Sequence, residues 1–167
     1  MLFETERLVV RQLEADDLDA LYAICGDAEL MRYSGNGEPL SREDTRRWIN
    51  VSRTNYQVKG YGCSAVIDKT SGEFIGYCGL VYAPGSTQVE LIYALKKAYW
   101  GQGYATEVAG AMLEYGFAEY GLKNIAASID PANAASIRVV QKLGMKFLRN
   151  TVDEDGLPVV WYRIDRA

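Results

Sequence analysis

The sequence predicts an α+β fold in which a mixed, mostly antiparallel twisted sheet of about seven strands carries helices on both faces. Three observations indicate this fold. Short strand-like runs joined by tight turns fill residues 62–96, which is typical of an antiparallel meander. A helical stretch flanked by two strands follows, and such a crossover joins parallel strands. Two further strand-like runs flank Asp155-Gly156, a turn signal that predicts a closing hairpin.

The chain opens with a strand and two helices. TERLVVRQL (5–13) alternates polar and apolar residues as a strand does, and ADDLDALYAIC (15–25) has apolar residues at helical spacing. Asp16 is the expected N-cap of this helix. Ser41, with an acidic residue three positions later, marks a second helix that should run to about Val58. The loop YSGNGEPLS separates the two helices.

The later elements complete the sheet. We expect the meander strands in GCSAVIDK, EFIGYCGLVYA and QVELIYALK, and a long helix in GYATEVAGAMLEYGFAEYG. A strand in NIAASID follows, and then a helix in NAASIRVVQKLG that ends at Gly144, where a C-cap glycine belongs. Since no linker, repeat or low-complexity segment interrupts the chain, residues 1–167 are expected to form a single domain.

Composition excludes several functions. A net charge of −4 and a pI near 5.0 argue against nucleic acid as a partner, which needs a basic face. The absence of histidine removes the Ser-His-Asp and Cys-His arrangements and the commonest zinc ligand, so we expect no metal. Three scattered cysteines, with no signal peptide and no apolar run of membrane-spanning length, indicate a cytoplasmic protein without a membrane partner.

The stretch AYWGQGYATE, residues 98–107, carries the strongest local signal. Gly101 and Gly103 allow positive φ and a close approach to the backbone, directly before a predicted helix. The segment is either a phosphate cradle at a helix N-terminus or a strand-to-helix turn that binds nothing. Thr106 occupies the third position of a GxGxxG pattern in mid-chain, so a dinucleotide site is a poor match, and GxxxxGK[ST] does not occur.

Three segments in order resemble the GCN5-related N-acetyltransferase (GNAT) family, and within it the branch that acetylates N-terminal amines of ribosomal proteins. They are ETERLVVRQLEADDLDAL, VELIYALKKAYWGQGYATE and NAASIRVVQKLGM. The resemblance covers nearly the whole chain and implies acetyl-coenzyme A (acetyl-CoA) as the acetyl donor. In the family pattern Q/R-x-x-G-x-G/A, Trp100 stands where glutamine or arginine is usual, while Gly103 and Ala105 match.

The resemblance also implies the residues that hold acetyl-CoA. Backbone amides of the glycine loop would bind its pyrophosphate, the backbone of the preceding strand would hold the pantetheine arm, and an amide near Tyr93 would stabilise the oxyanion. Basic residues Lys96, Lys97, Arg138 and Lys142 are expected either to add positive charge or to be solvated surface. The predicted cofactor-binding residues are Tyr93, Leu95, Trp100, Gly101, Gln102, Gly103, Tyr104, Ala105, Thr106, Asn133 and Arg138. For Asn133 a plain N-cap role is compatible with cofactor contact.

Two residues are predicted to be catalytic. Glu90 lies in an apolar strand at the family's position for a sheet glutamate, where burial would raise its pKa, so it is a candidate base or amine-orienting group. It could instead be an acid on an exposed strand face. The family's usual acid, a tyrosine on the last helix, is replaced by Val140, and Ser136 is the predicted substitute.

The acceptor pocket is expected between the loop MRYSGNGEP and the terminal hairpin, with Tyr33, Tyr82 and Trp48 as candidate lining residues. The predicted acceptor is a primary amine, foremost a protein N-terminal α-amine. Acetylation of a small amine such as a polyamine, and a non-catalytic module that binds acyl-CoA, remain alternatives. The sequence leaves open whether the protein is a monomer or a homodimer.

Overall fold

A single sheet organises the chain, and the computed structural model describes residues 1–34, 37–82 and 85–166. Within these ranges eight strands pair in the order β1-β2-β3-β4-β5-β6-β8-β7. Their bounds are Phe3–Glu4 (β1), Leu8–Gln12 (β2), Cys63–Asp68 (β3), Phe74–Tyr82 (β4), Val89–Leu95 (β5), Asn124–Ile129 (β6), Lys146–Val152 (β7) and Pro158–Asp165 (β8). The strand beyond the seven predicted is β1, whose two residues are too few to show a pattern.

Strand directions match the predicted meander and crossover. Neighbouring strands are antiparallel except β5 and β6, which are parallel and joined through a helix. The loop residues Gly35 and Asn36, Ala83 at the predicted end of β4, Pro84 and the final Ala167 lie outside the described residues.

The described helices are α1 (Leu18–Cys25), α2 (Arg42–Lys59), α3 (Tyr104–Tyr120) and α4 (Ala134–Lys142). Ser41 caps α2 as predicted, since its side chain accepts a hydrogen bond from the Asp44 amide. The Asp16 cap was wrong: a 3-10 turn precedes α1, and the neighbouring Asp17 instead accepts from the Glu14 amide and pairs with Arg11 at 2.8 Å. No helix in the described ranges is long and apolar enough to cross a membrane.

The two faces of the sheet bury separate apolar clusters. Along β4, Ile75 and Cys78 pack with α3 and α4, whereas Phe74 and Tyr77 pack with α1 and α2. Strict alternation is interrupted here, because the register of β3 and β4 shifts between Val66 and Ile67. The division into two clusters shows that helices cover both faces, as the sequence predicts.

Strands β5 and β6 separate soon after they meet. Their pairing is limited to Glu90 opposite Ala126, while β6 continues to pair with β8 as far as Ile129. The second half of β5, residues 92–95, therefore has β4 on one edge and no strand on the other. This separation opens the sheet where the candidate site lies.

Candidate active site

A cavity of about 500 Å³ lies beside the open half of β5. The β5 strand, the glycine turn, the start of α3, one side of α4 and the loop after α1 all contribute to its wall. The lining residues are Leu30, Tyr33, Ser34, Tyr93, Ala94, Leu95, Tyr99, Trp100, Gly101, Gly103, Tyr104, Ala105, Thr106, Asn133, Ala135, Ser136, Arg138, Val139 and Lys142. Most of the predicted cofactor-binding residues are therefore brought to one cavity.

The glycine turn presents a helix N-terminus to this cavity. Gly101 and Gly103 have φ of 71° and 82°, a left-handed conformation that favours glycine. Gly103 is the N-cap of α3, and no side chain caps this helix end. The amides of the first turn are thus free to bind an anion, which the helix dipole also favours.

Arg7, directly before β2, braces the turn from outside. Its guanidinium donates to the Gln102 carbonyl at 3.0 Å, pairs with Glu107 of α3 at 2.8 Å, and lies 3.8 Å from the Tyr104 ring centroid. Thr5 also donates to Glu107 at 2.5 Å. These contacts fix the turn against a strand that lies far away in the sequence.

Two predicted cofactor residues use their side chains within the protein. The Gln102 amide donates to the Ala98 carbonyl at 2.8 Å, and Gln102 is not among the lining residues. The Trp100 indole donates to the Leu95 carbonyl at 2.9 Å. Trp100 thereby ties the turn to the end of β5, and one lone pair of the Leu95 carbonyl is occupied.

Positive charge in the cavity comes from α4. Arg138 and Lys142 line it, whereas Lys96 and Lys97 form ion pairs with Glu73 at 3.0 Å and Glu29 at 2.9 Å. The α4 cations, one turn apart, therefore remain the candidates for contact with an anionic ligand.

A pair of hydroxyl groups spans the cavity between β5 and α4. The Tyr93 oxygen lies 2.7 Å from the Ser136 oxygen, and either group can donate. Burial raises the pKa of Tyr93 to about 12, although the hydrogen bond from Ser136 acts in the opposite direction. Asn133 caps α4 by accepting from the Ser136 amide at 3.2 Å, which positions this serine. Val140 is fully buried in the core.

Glu90 lies on the opposite face of β5 from Tyr93. It is 5% exposed, and the Ser128 hydroxyl of β6 donates to its carboxylate. Burial raises the pKa of Glu90 above its ordinary value, while the Ser128 hydrogen bond lowers it in part. Ser128 itself is exposed, so the carboxyl group is buried but joined to the surface by one hydroxyl. This burial excludes the alternative that Glu90 is an acid on an exposed strand face.

The three predicted acceptor aromatics are not brought together. Tyr33 lines the cavity. The Tyr82 hydroxyl accepts a hydrogen bond from the Tyr61 hydroxyl at 2.8 Å, and Tyr82 lines a separate pocket at the other end of β5. Trp48 packs edge-on against Tyr77 at 4.8 Å in the core on the α1 and α2 face. The geometry thus leaves only Tyr33 of this set beside the cavity.

Sequence reasoning missed three contributors. The Tyr93 side chain was overlooked in favour of its backbone, although strand alternation with Leu91 and Leu95 could have indicated its face. Ser128 lies two residues beyond Ala126, the partner of Glu90, and reaches Glu90 only because β5 and β6 pair in the sheet. The contact of Arg7 with the glycine turn joins residues 95 positions apart. No local pattern signals contacts of this kind.

Comparison with known proteins shows the family to which the chain belongs. The sequence model of the acetyltransferase (GNAT) domain matches residues 7–146. The uncharacterized protein YkkB of Bacillus subtilis (strain 168) is 38% identical over 163 residues, covering 95% of this chain and 92% of YkkB. The uncharacterized N-acetyltransferase YnaD of the same strain is 32% identical over 146 residues, covering 87% and 83%. The chain belongs to the GNAT acetyltransferase family and is an N-acetyltransferase.

Solved structures show the same fold. A GNAT-family acetyltransferase from Bacillus anthracis has a TM-score of 0.82 and 28% identity, covering 97% of this chain and 96% of that one. Ribosomal-protein-S5-alanine acetyltransferase from Vibrio fischeri has a TM-score of 0.80 at 17% identity, covering 98% and 95%. YncA from Salmonella typhimurium, a putative acetyltransferase solved with its cofactor acetyl-CoA, has a TM-score of 0.76 at 19% identity, covering 96% and 94%. The last two likenesses concern the fold alone.

Proposed function

We propose that residues 1–167 form one domain that moves an acetyl group from acetyl-CoA directly to a protein N-terminal α-amine. One observation carries the proposal: a single cavity joins an uncapped helix N-terminus, an open strand edge and a pair of hydroxyl groups. None of the described side chains that line the cavity is an activated nucleophile, which favours direct transfer over an acyl-enzyme.

The cavity suits an extended ligand with an anionic end. The amides after Gly103, together with Arg138 and Lys142, would hold the diphosphate of acetyl-CoA. The open edge of β5 beyond Glu90 offers backbone groups to the amides of the pantetheine arm. When bound, acetyl-CoA supplies an acetyl group activated as a thioester.

The residues around the strand gap would move two protons. As the nitrogen–acetyl bond forms and the carbon–sulfur bond breaks, Glu90 takes a proton from the amine and passes it to solvent through exposed Ser128. On the other face of β5, Ser136 and Tyr93 supply a proton to the departing sulfur. These roles place the base and the acid on opposite sides of β5.

The chemistry of the acceptor favours an α-amine. An α-amino group of pKa near 8 is about one fifth neutral at pH 7.4, whereas a lysine near 10.4 is neutral in about one molecule per thousand, a difference of about 3 kcal/mol. A single buried carboxyl such as Glu90 is an adequate base for the first task.

Calorimetric titration with acetyl-CoA tests the first half of the proposal. Release of free thiol after addition of a peptide with a free N-terminal serine or alanine tests the second. Binding followed by thiol release supports the whole proposal. Binding without release from any peptide, but with release from a small amine, would contradict the acceptor assignment. Binding without release from any amine would favour an acyl-CoA-binding module.

We also propose a cytoplasmic location. Cys25, Cys63 and Cys78 are all free and buried, and burial raises the pKa of each thiol. Reduced, unpaired cysteines of this kind are typical of a reducing compartment. Mass spectrometry of protein purified from its native cells with a thiol-alkylating label should find these cysteines reduced.

A further inference from the structure

Within the part of the chain that the structure describes, the helices on the Glu90 side of the sheet pack on one half of this face. On this side α1 and α2 contact β2, β3 and β4. Beyond β5, the face continues through Ser128 of β6 and through Trp161 and Arg163 of β8, because directly paired residues share a face. The alternate residues of β8, Val160 and Tyr162, lie in the core with α3 and α4.

Three cations lie on this open face. Arg149 of β7 pairs with Trp161 and its guanidinium lies 5.2 Å from the indole centroid, while Lys146 pairs with Arg163. Among the described residues no carboxylate lies within ion-pair distance of Arg149 or Lys146. The third cation, Arg163, forms an ion pair with Asp165, whose carboxylate oxygen lies 3.2 Å from the arginine Nε.

Trp161 and Arg163 of this face differ in how their side-chain nitrogen atoms are bonded. The Trp161 indole donates to the Thr151 hydroxyl at 2.9 Å, which fixes the ring beside Arg149. The Arg163 Nε is buried and, although close to Asp165, makes no hydrogen bond. Since the Asp165 carboxylate already faces this buried atom, a ligand would meet the rest of the guanidinium group, whose side chain is 36% exposed.

The register ties these cations to the candidate base. Glu90 pairs with Ala126, and Ala126 pairs with Arg163, so two strand spacings separate the acid from this arginine. Strands lie about 4.8 Å apart, which places Arg163 about 10 Å from Glu90 across the sheet. Arg149 lies one strand further and is offset by two residues along the strands, which places it about 16 Å from Glu90. An extended peptide rises about 3.3 Å per residue, so three to five residues span these distances.

We infer that this face, formed by Lys146, Arg149, Trp161 and Arg163, binds the acceptor, and that the acceptor is a peptide N-terminus with carboxylates among its first four residues. The inference rests on the proposed function. The α-amine lies at Glu90, and the acidic side chains that follow it meet Arg149 and Lys146, which have no carboxylate partner among the described residues, and the guanidinium group of Arg163 beside Asp165. A polyamine is disfavoured at the same face because its second cation would approach three positive charges.

Three hexapeptides that begin with serine test this inference. Serine is followed by three glutamates in the first, three glutamines in the second and three lysines in the third. The wild type should acetylate the glutamate peptide at least 10-fold faster in kcat/KM than the lysine peptide at 50 mM salt, and less selectively at 300 mM. Arg149→Glu should lower kcat/KM for the glutamate peptide at least 10-fold and raise it for the lysine peptide.

A matched variant separates this effect from general charge. Arg47→Glu makes the same change on the outer side of α2, where the side chain is 70% exposed, and should leave the peptide preference unchanged. Equal rates with all three peptides, or an equal loss with each in Arg149→Glu, would overturn the inference and leave the proposed function standing. Acetylation of spermidine with no turnover of any peptide would overturn both.

Discussion

The Tyr93 and Ser136 hydroxyl oxygens lie 2.7 Å apart, and this contact joins β5 to the first turn of α4 across the cavity. A chain that lacks a tyrosine at position 140 thus still presents a phenol to the site, from a strand instead of a helix. The backbone of β5 and the Asn133 cap fix the two partners. The hydroxyl pair is a compact source of a proton for a leaving group.

Removal of either hydroxyl should slow the chemical step more than binding. For Tyr93→Phe and for Ser136→Ala we expect kcat to fall about 100-fold or more with little change in the Kd of acetyl-CoA, because positioned general acids contribute about 10²–10⁴-fold. The double variant should lose little more than the worse single variant, since the two groups act as a unit. Steady-state kinetics with calorimetry measures both quantities.

The control for this pair is Tyr115→Phe, which removes a phenol that contacts Tyr120 outside the cavity. It should retain full kcat. Full activity in Tyr93→Phe and Ser136→Ala as well would remove the hydroxyl pair from the mechanism.

Glu90 should set the acid limb of the pH profile. Its pKa is raised by burial, so the basic form is lost as pH falls through a value above 4.5, the ordinary value. The Ser128 hydrogen bond lowers that pKa, so Ser128→Ala should move the limb of kcat to higher pH. Glu90→Gln should lower kcat about 100-fold or more. An unmoved limb in Ser128→Ala would contradict the role of Glu90.

The ionised carboxylate of Glu90 should also lower the free energy of unfolding at pH values above its pKa. A carboxyl with a raised folded-state pKa makes the folded protein bind more protons than the unfolded chain, so the free energy of unfolding falls as pH rises through the two pKa values. Glu90→Gln removes this dependence, and the amide oxygen still accepts from Ser128. We expect the variant to have a higher Tm than wild type at pH 8 and a smaller difference at pH 4, measured by calorimetry.

Gly103→Val should separate cofactor binding from folding. At φ of 82° a side chain costs about 1–2 kcal/mol of stability. The new Cβ would lie 3.5 Å from the Arg7 guanidinium that braces the turn, so strain and displacement of this brace should disturb the amides that face the cavity. We expect at least 10-fold weaker binding of acetyl-CoA with the fold retained. Gly72→Val is the matched control, because its φ is 73° and its turn is open and distant in the sequence. Equal affinities in both variants would contradict an anion site at the turn.

Arg7→Ala should weaken acetyl-CoA binding even though Arg7 does not line the cavity. The variant removes the hydrogen bond to Gln102 and the ion pair to Glu107, so the glycine turn loses its brace. We expect a roughly 3- to 10-fold higher Kd in calorimetry and an unchanged kcat at saturating acetyl-CoA. Arg47→Ala, on the exposed side of α2, is the control. An unchanged Kd in Arg7→Ala would show that the turn is held by its own backbone.

The sequence predicted the element order, the meander, the crossover and the terminal hairpin because each depends on local period and turn chemistry. Asp16 was wrong because a 3-10 turn shifts the start of α1, a difference that local patterns do not resolve. The glycine turn was predicted correctly because a backbone with positive φ strongly favours glycine, so the sequence itself shows where such a turn occurs. Arg7 and Ser128 were missed because their partners are far away in the chain. Tyr82 was expected to line the acceptor pocket, but the structure places it at the other end of β5 from the cavity.

The gap between β5 and β6 has a consequence for evolution. If the arm of the donor lies along the bare edge of residues 92–95, recognition there uses main-chain atoms, which every amino acid shares. The side chains of this segment are then released from holding the donor and can change with the amine being modified. Proteins with this open strand edge can therefore differ in the amine that they modify while all of them use the same acetyl donor.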